Sequence, residues 1–281
     1  MPTIIINSME GPLQLLLADL SAIGEKNTSM EKAQPSAIPG STHLSAIIAS
    51  LCWEPDGQGA ETLIPNLAEL LEKNNVSRSA IKRIACVRGP GSFTGIRLAL
   101  STALGLSRSL PGKPLLAGLD YLPLLAASAQ TRHTLDKTGS LWALTHARRG
   151  QVHIQGFALK DLSPLCSPQG CLLEQACSLI VQAGQDRTPQ PIYLAGSGLA
   201  RNREFFAARF PQARLLDELL YPAPEALLTA AAGAVYASAP IEPLYLRASD
   251  AEENLPYIAT GLGLDPHQAM LDLLKLTGRS N

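Results

Sequence analysis

The chain alternates short, β-branched apolar runs with longer segments in which apolar residues recur every three or four positions. The short runs predict buried strands, which lie at residues 4–8, 13–20, 44–53, 83–88, 115–117, 141–145, 151–157 and 192–195. The longer segments predict amphipathic helices, which lie at residues 63–74, 93–110, 121–130, 172–183, 199–209, 224–236 and 266–276. Pro65 is expected in the first turn of its helix, where a missing N–H costs little. Residues 24–42 show neither period and are predicted to form a loop.

Strands and helices alternate in both halves of the chain, which is typical of α/β architecture. Each half contains a predicted hairpin followed by strand–helix units, so the halves are predicted to be two similar lobes. A Pro-Gly-Lys-Pro segment at residues 111–114 is the best candidate linker. We therefore predict a first lobe over residues 1–111, a second over 112–250, and a tail over 251–281 that contains one helix.

Composition narrows the classes of function. Of the 281 residues, 46% are hydrophobic and 17% are charged, which excludes a disordered chain. The formal net charge is -1, whereas a protein that holds nucleic acid by itself carries a basic excess. The five cysteines show no paired spacing, and no apolar stretch reaches the ~20 residues that a membrane span needs. These features predict a cytoplasmic protein with no membrane contact.

The most informative segment follows the fourth predicted strand. It consists of Gly89, Pro90, Gly91, Ser92, Phe93, Thr94 and Gly95. A glycine turn before a helix exposes backbone N–H groups and the positive end of the helix dipole, an arrangement that suits phosphate. The spacing matches neither a dinucleotide fingerprint nor a P-loop nor a nucleophile elbow. From chemistry alone, a tight turn that lets the helix pack closely is the favoured interpretation.

The same segment, continued by Ile96 and Arg97, resembles the hallmark of the TsaB (YeaZ) family, a glycoprotease-like group of the ASKHA, or actin-like, proteins. Three other segments agree with the family in order and spacing, namely Ala147–Val152, Ala195–Gly198, and Pro243–Arg247 followed by Asp250–Glu252. The resemblance covers roughly residues 3–252. It implies an α/β fold of two actin-like lobes, each a mixed sheet with flanking helices.

The resemblance also implies a role. TsaB-like proteins pair with TsaD, the threonylcarbamoyltransferase of tRNA threonylcarbamoyladenosine modification, and support it without catalysing the transfer. In bacteria a small ATPase, TsaE, joins them. The expected partners are therefore a TsaD homologue, TsaE, a second copy when the chain is alone, and tRNA indirectly through the complex. The resemblance predicts a non-catalytic subunit, an inactive homologue of TsaD.

Residues of the expected cleft agree with a silent role. ASKHA enzymes usually carry an aspartate at the end of the first strand, where this chain has Asn7, and a neutral amide is a poor partner for hydrated Mg²⁺. Asn7, Gly196 and Gly198 are candidates for a nucleotide cleft, in which ATP or ADP would bind weakly and no cofactor would be required. His146 and His153 flank a hairpin turn, where a solvated pair is favoured over a metal site. No catalytic residue and no metal site is predicted.

Three alternative functions stay open. The first is an ASKHA-fold ATPase or phosphotransferase, against which Asn7 argues. The second is a peptidase, for which no Ser/His/Asp set has supporting spacing. The third is a dimeric interaction protein with no role in tRNA modification.

The helix predicted to end at Leu110 is apolar almost all round, with only Arg97 and Arg108 charged. A helix that covers one sheet needs one apolar stripe, so this helix should be covered on two sides. The residues alone do not decide between its own domain and a partner as the second cover. The resemblance favours a partner, because TsaB-like proteins use this helix and the preceding one to contact TsaD or a second copy. The predicted interface consists of Leu63, Leu67, Leu70, Ile96, Ala99, Leu100, Ala103 and Leu104.

Overall fold

The computed structural model describes residues 1–23, 46–55, 59–184, 190–246 and 250–277. The chain divides into two compact units, Met1–Leu244 and Tyr245–Asn281. The loop predicted over residues 24–42 lies outside the described residues. Among the helices described, none has the length and apolar character needed to cross a membrane.

The first sheet of the larger unit has five strands. Their bounds are Pro2–Asn7 (β1), Leu13–Asp19 (β2), Ile47–Trp53 (β3), Arg83–Gly89 (β4) and Leu115–Asp120 (β5). The spatial order is β3-β2-β1-β4-β5, with β1, β2 and β3 antiparallel and β1, β4 and β5 parallel. The central strands β1 and β4 are buried on both faces, which explains why their sequences are continuous apolar runs rather than alternating ones.

The second sheet repeats the same topology. Its strands are Ser140–Arg148 (β6), Gln151–Ala158 (β7), Gln169–Leu172 (β8), Ile192–Ala195 (β9) and Arg214–Leu216 (β10). The order β10-β9-β6-β7-β8 places an antiparallel hairpin and a third antiparallel strand on one side and two parallel strands on the other, as in the first sheet. The predicted α/β fold of two similar mixed sheets is therefore confirmed. β8 and β10 were not predicted, because three or four residues show no measurable period.

The boundary predicted at residue 111 does not coincide with the end of the first sheet. β5 follows the Pro-Gly-Lys-Pro segment and pairs in parallel with β4, so the first sheet continues to Asp120. The segment forms a tight turn, in which the backbone N–H of Lys113 donates to the carbonyl oxygen of Leu110 at 3.0 Å. A Pro/Gly-rich stretch here returns the chain to the same sheet rather than linking two lobes.

Helices flank both sheets of the larger unit. They are Gly59–Lys73 (α1), Phe93–Ser109 (α2), Tyr121–Arg132 (α3), Leu173–Gly184 (α4), Ser197–Arg201 (α5), Arg203–Arg209 (α6) and Pro224–Gly233 (α7). α1 begins before the predicted start, so Pro65 lies in its second turn rather than its first. Pro65 and Glu61 are both exposed, so water can bond the Glu61 carbonyl that Pro65 leaves without a donor. α7 ends at Gly233, because the following segment pairs with β5 through Ala237 and Leu116.

Two central helices join the sheets. α3 packs against β4 of the first sheet and against β6, β7 and β9 of the second, and α7 packs against α3, β1, β2 and β5. The hydroxyl of Ser128 on α3 accepts from the backbone N–H of Ala223 at 2.8 Å. The Gln14 side chain on β2 donates to the carbonyl oxygen of Pro222 at 2.9 Å. These contacts make residues 1–244 one body despite their two sheets.

The structure corrects most of the predicted partner interface. α2 packs against β1, β4, β5 and α1, and these elements cover part of its apolar surface. Side chains that the prediction assigned to a partner are instead buried in the chain's own core, namely Leu63, Leu67, Leu70, Ile96, Ala99 and Ala103. Leu100 and Leu104 are half-buried, so only these two of the eight present surface to another molecule.

The smaller unit contains two helices, Asp250–Gly261 (α8) and Pro266–Thr277 (α9). α9 was predicted, whereas α8 was not, because Pro256 in its interior is typical of a helix break. Several large apolar side chains of this unit are exposed, including Tyr257 and Leu262. Only Ala259 is a buried apolar residue among the side chains described in this unit.

A substitution on α2 tests whether Ala103 lies in the chain's own core or at an interface with a partner. Ala103→Glu would place an unpaired charge in a site with no solvent exposure, so we expect the free energy of unfolding to fall by about 3–5 kcal/mol. The matched control is Ser101→Glu, because Ser101 is exposed on the same helix, and its effect should stay within about 0.5 kcal/mol. Urea denaturation of the two variants measures both. A stable, folded Ala103→Glu monomer would contradict the packing described here.

Candidate functional site

The glycine segment predicted to be informative forms the turn between β4 and α2. The hydroxyl of Ser92 caps the helix by accepting from the backbone N–H of Gly95 at 3.3 Å. The Arg97 guanidinium lies over the Phe93 ring, 4.0 Å from its centroid, while Thr94 is exposed. The segment therefore builds a capped helix start, as a tight-turn interpretation requires.

This turn lies directly on the turn that follows β1. A Cβ atom at Gly95 would lie 1.9 Å from the carbonyl oxygen of Ser8, a distance that no side chain can tolerate. Two hydrogen bonds fix the contact: Ser8 Oγ donates to the Gly95 carbonyl at 2.8 Å, and the Ser92 N–H donates to the Met9 carbonyl at 2.9 Å. Close approach of two backbones, rather than contact with a ligand, explains the glycine at position 95.

The first and last motifs of the chain also meet. The backbone N–H of Leu244 donates to the carbonyl oxygen of Arg88 at 2.8 Å. A Cβ atom at Gly89 would lie 2.6 Å from the Leu244 carbonyl oxygen. Segments 155 positions apart in sequence thus pack against each other. This contact is a physical reason for one chain to carry both motifs.

Asn7 does not face an open cleft, contrary to its assignment to a nucleotide site. Its side chain is fully buried. Its Nδ2 donates to Gln14 Oε1 at 2.7 Å, and its Oδ1 accepts from the Met9 N–H at 3.2 Å. Because Gln14 in turn bonds Pro222, the amide of Asn7 belongs to a buried chain of hydrogen bonds that ties β1 to the start of α7.

The second glycine turn, between β9 and α5, is likewise packed against the chain itself. A Cβ atom at Gly196 would lie 2.1 Å from the carbonyl oxygen of Leu144, and one at Gly198 would lie 2.9 Å from that of Thr145. Both neighbours belong to β6. The glycines therefore let α5 approach β6, and they do not line open space as the nucleotide assignment assumed.

The residue that brings the two sheets together was not predicted. Glu10, in the turn after β1, accepts a hydrogen bond from the hydroxyl of Ser197, the first residue of α5. The same hydroxyl accepts from the backbone N–H of His146 at 2.9 Å, and that N–H also bonds the Glu10 carboxyl. Burial raises the pKa of Glu10 from 4.5 to about 7, although hydrogen bonds from Ser197 and His146 and the charge of Arg201 oppose the rise. A charged residue in a turn is normally solvated, so nothing in the sequence singles out Glu10.

The histidines of the β6–β7 hairpin do not face each other. His153 pairs with Thr145 across the hairpin, with Thr145 Oγ1 3.2 Å from His153 Nδ1, whereas His146 pairs with Val152 and so lies on the opposite face. Burial, and secondarily Arg201, lowers the pKa of His146. Its buried Nδ1 has no hydrogen-bond partner among the described residues. In the described ranges, no three His, Cys, Asp or Glu side chains come together in a way that fits a metal ion.

Comparison with known proteins assigns the chain to a family. Residues 58–254, which contain all four motifs, match the sequence model of the TsaD family, described as tRNA N6-adenosine threonylcarbamoyltransferase. The chain belongs to the TsaD family. The predicted resemblance to TsaB (YeaZ) proteins is also confirmed by the curated and solved proteins to which the chain is similar.

Two curated relatives carry the name tRNA threonylcarbamoyladenosine biosynthesis protein TsaB. That of Buchnera aphidicola subsp. Baizongia pistaciae is 31% identical over 46% of this chain and 62% of its own length. That of Haemophilus influenzae is 25% identical over 69% of this chain and 82% of its own length. The chain thus matches slightly less than two thirds of the first relative and about four fifths of the second.

Solved structures show the same fold. YeaZ from Pseudomonas aeruginosa is 20% identical, with a TM-score of 0.58 over 87% of this chain and 99% of its own. A second crystal structure, of an uncharacterized protein with similarity to peptidase YEAZ from Pseudomonas aeruginosa, has a TM-score of 0.60 at 21% identity and covers 88% and 99%. At such identities the likeness establishes the arrangement of two mixed sheets and not a chemistry.

The contact of the TsaD-family motif with the turn after β1 gives a second prediction. Gly95→Ala should destabilise the protein by about 3 kcal/mol, because the new methyl group must displace the backbone of Ser8. Gly105→Ala is the matched control, since a Cβ there meets nothing within 4 Å, and it should stabilise α2 by about 1 kcal/mol. Thermal and urea denaturation measure both effects. Equal effects of the two substitutions would contradict the close backbone contact.

Proposed function

We propose that this chain is a non-catalytic subunit of the tRNA threonylcarbamoyladenosine machinery, which binds and activates a TsaD-type threonylcarbamoyltransferase. Family membership and the names of the two TsaB relatives support the pathway. The subunit role goes further than these names, and it is supported by Asn7 and by the uncovered side of α2. A small TsaE-type ATPase is included among the proposed partners, and a second copy of the chain occupies the partner surface when TsaD is absent.

The observation that carries the non-catalytic role is the state of Asn7. In ASKHA enzymes this position usually supplies a carboxylate to metal and water. Here the residue is an amide, and both its polar atoms are engaged inside the protein, by Gln14 and by the Met9 backbone. A nucleophile-orienting or metal-holding role would require these bonds to break in a site without solvent. Any ATP or ADP would therefore bind weakly to this chain, and its use would belong to the complex.

The surface proposed for TsaD is the part of α1 and α2 that the chain's own core leaves uncovered. Phe93, Arg97, Leu100 and Leu104 follow the helical spacing i, i+4, i+7, i+11, so they share one side of α2. Their apolar members are half-buried rather than buried. On α1, Ile64 is 47% exposed. A half-buried apolar flank on α2, together with an exposed isoleucine on the contacting helix α1, is suited to a helical partner.

Transfer RNA is proposed to meet the complex rather than this chain alone. The net charge of -1 leaves no general attraction for phosphate. Arg148 and Arg149 are exposed at the tip of the β6–β7 hairpin, where they can add phosphate contacts to a site built mainly by a partner. Binding of tRNA by the isolated chain should therefore be weak and strongly salt-dependent.

Reconstitution tests the proposed function. We expect the purified chain alone to neither hydrolyse ATP nor modify tRNA, because Asn7 supplies no metal-holding carboxylate. The host's TsaD homologue, with TsaE, threonylcarbamoyl-adenylate and tRNA, should show at least tenfold more modified adenosine when the chain is added, measured by mass spectrometry of nucleosides. Turnover of ATP by the chain alone would favour the ATPase or phosphotransferase alternative, and peptide cleavage would favour the peptidase. If adding the chain has no effect on modification, the remaining alternative is an interaction protein with no role in this pathway.

A substitution on the uncovered flank tests the interface in the same assay. Leu104→Glu should leave the chain folded, because Leu104 is only half-buried, yet reduce binding to the TsaD homologue at least tenfold by placing a charge in an apolar contact. Val181→Glu is the control, since Val181 is 47% exposed on α4 of the second sheet, and it should bind normally. Analytical ultracentrifugation and titration calorimetry measure self-association and TsaD binding. Normal binding by Leu104→Glu would exclude this face.

A further inference from the structure

The contact between Glu10 and Ser197 crosses from the first sheet to the second. The two residues are 187 positions apart: Glu10 lies in the turn after β1, and Ser197 is the first residue of α5, which follows β9. Elsewhere the sheets are joined by the packing of α3 and α7. The Glu10–Ser197 contact is therefore a separate, polar connection between two sheets that share a helical core.

Four residues of the described part of the chain interact with Glu10. The Ser197 hydroxyl and the His146 backbone N–H donate to its carboxyl, and the Arg201 guanidinium on α5 attracts it electrostatically. The buried Tyr121 on α3 is close enough for the charge of Glu10 to raise its pKa further, after burial. Burial lowers the pKa of the His146 imidazole, and the charge of Arg201 lowers it further. Arg201 is exposed to solvent, so its attraction is screened and is weaker than the cost of burying an ionised carboxyl.

We propose that Glu10 and Ser197 form a proton-controlled latch between the two sheets of the Met1–Leu244 unit, closed when Glu10 carries a proton and released when Glu10 ionises. The protonated carboxyl keeps its hydrogen bond to Ser197 without bringing a charge between the turns. Glu10 is half-buried, so its ionised carboxyl becomes fully hydrated only when the turn after β1 separates from the start of α5. α3 and α7 hold the sheets together in either state, so release is a local opening and not unfolding.

The direction of the pH effect follows from the two environments. In the closed form the pKa of Glu10 is raised to about 7, and in an open, hydrated form it returns toward 4.5. Because the closed form has the higher pKa, protonation of Glu10 stabilises the closed form relative to the open form. This stabilisation is complete below pH 4.5 and is lost as pH rises through 7. The difference corresponds to a change of up to about 300-fold in the open-to-closed ratio between these limits. Above pH 7 the ratio should become constant.

Distances between the two sheets test the latch. Spin labels attached through non-natural amino acids at Lys73 on α1 and Arg149 at the β6–β7 tip leave the native cysteines untouched, and both sites are exposed. Double electron–electron resonance between pH 4.5 and 9 should show a longer-distance population that grows between pH 4.5 and 7 and then stays constant. Circular dichroism over the same range should not change, because the secondary structure is retained.

Three variants make the test specific. Glu10→Gln cannot ionise and should keep the short distance at every pH, whereas Glu204→Gln, which removes an exposed carboxyl on α6, should behave as the unmodified protein. Ser197→Ala removes a hydrogen bond that favours ionised Glu10, so its transition should move to higher pH. A distance distribution of the unmodified protein that is independent of pH, or a Glu10→Gln variant that opens with the same profile, would overturn the proposal. If Glu10→Gln fails to fold, the shift of the Ser197→Ala transition decides alone.

Discussion

The backbone contact between the turn after β1 and the first turn of α2 constrains the rest of the larger unit. Gly95 and Ser8 approach so closely that only hydrogen fits between the Gly95 Cα and the Ser8 carbonyl oxygen. This contact fixes the end of β1 against the start of α2, and hence the face of α2 that covers β4 and β5. It also positions Glu10, two residues after Ser8, toward the second sheet. One steric requirement therefore determines the helix packing and the contact between sheets.

The fold was largely predictable because its signals are local. Continuous apolar runs marked β1 and β4, which are buried on both faces, and two hairpins followed by parallel strands revealed the repeated topology. The boundary at residue 111 could not be predicted in the same way. A Pro/Gly-rich turn has the same composition whether it joins two lobes or returns the chain to a neighbouring strand, and only the pairing of β5 with β4 distinguishes the two.

The candidate site was predicted less well, because burial and hydrogen bonding depend on distant residues. An apolar helix such as α2 has the same sequence whether its second cover is α1 or another protein, and Ala99 and Ala103 proved to be covered from within. The sequence shows an amide at Asn7, but its partners Gln14 and Met9 could not be foreseen from it. Glu10 was missed because its burial depends on Ser197, in the other half of the chain.

The proposed partner surface on α2 and the Glu10–Ser197 latch are both connected to the turn after β1. Partner binding and protonation of Glu10 can therefore be thermodynamically linked. The first turn of α2 is bonded to this turn through Ser92 and Gly95, and the flank of Leu100 and Leu104 lies on the same helix. A partner that prefers the closed arrangement of the sheets would shift Glu10 toward its protonated form, and binding would then be accompanied by proton uptake between pH 4.5 and 7. A partner with equal affinity for both arrangements would bind without proton exchange. The proton balance of binding therefore distinguishes a subunit that merely docks on α2 from one that also senses the contact between the sheets.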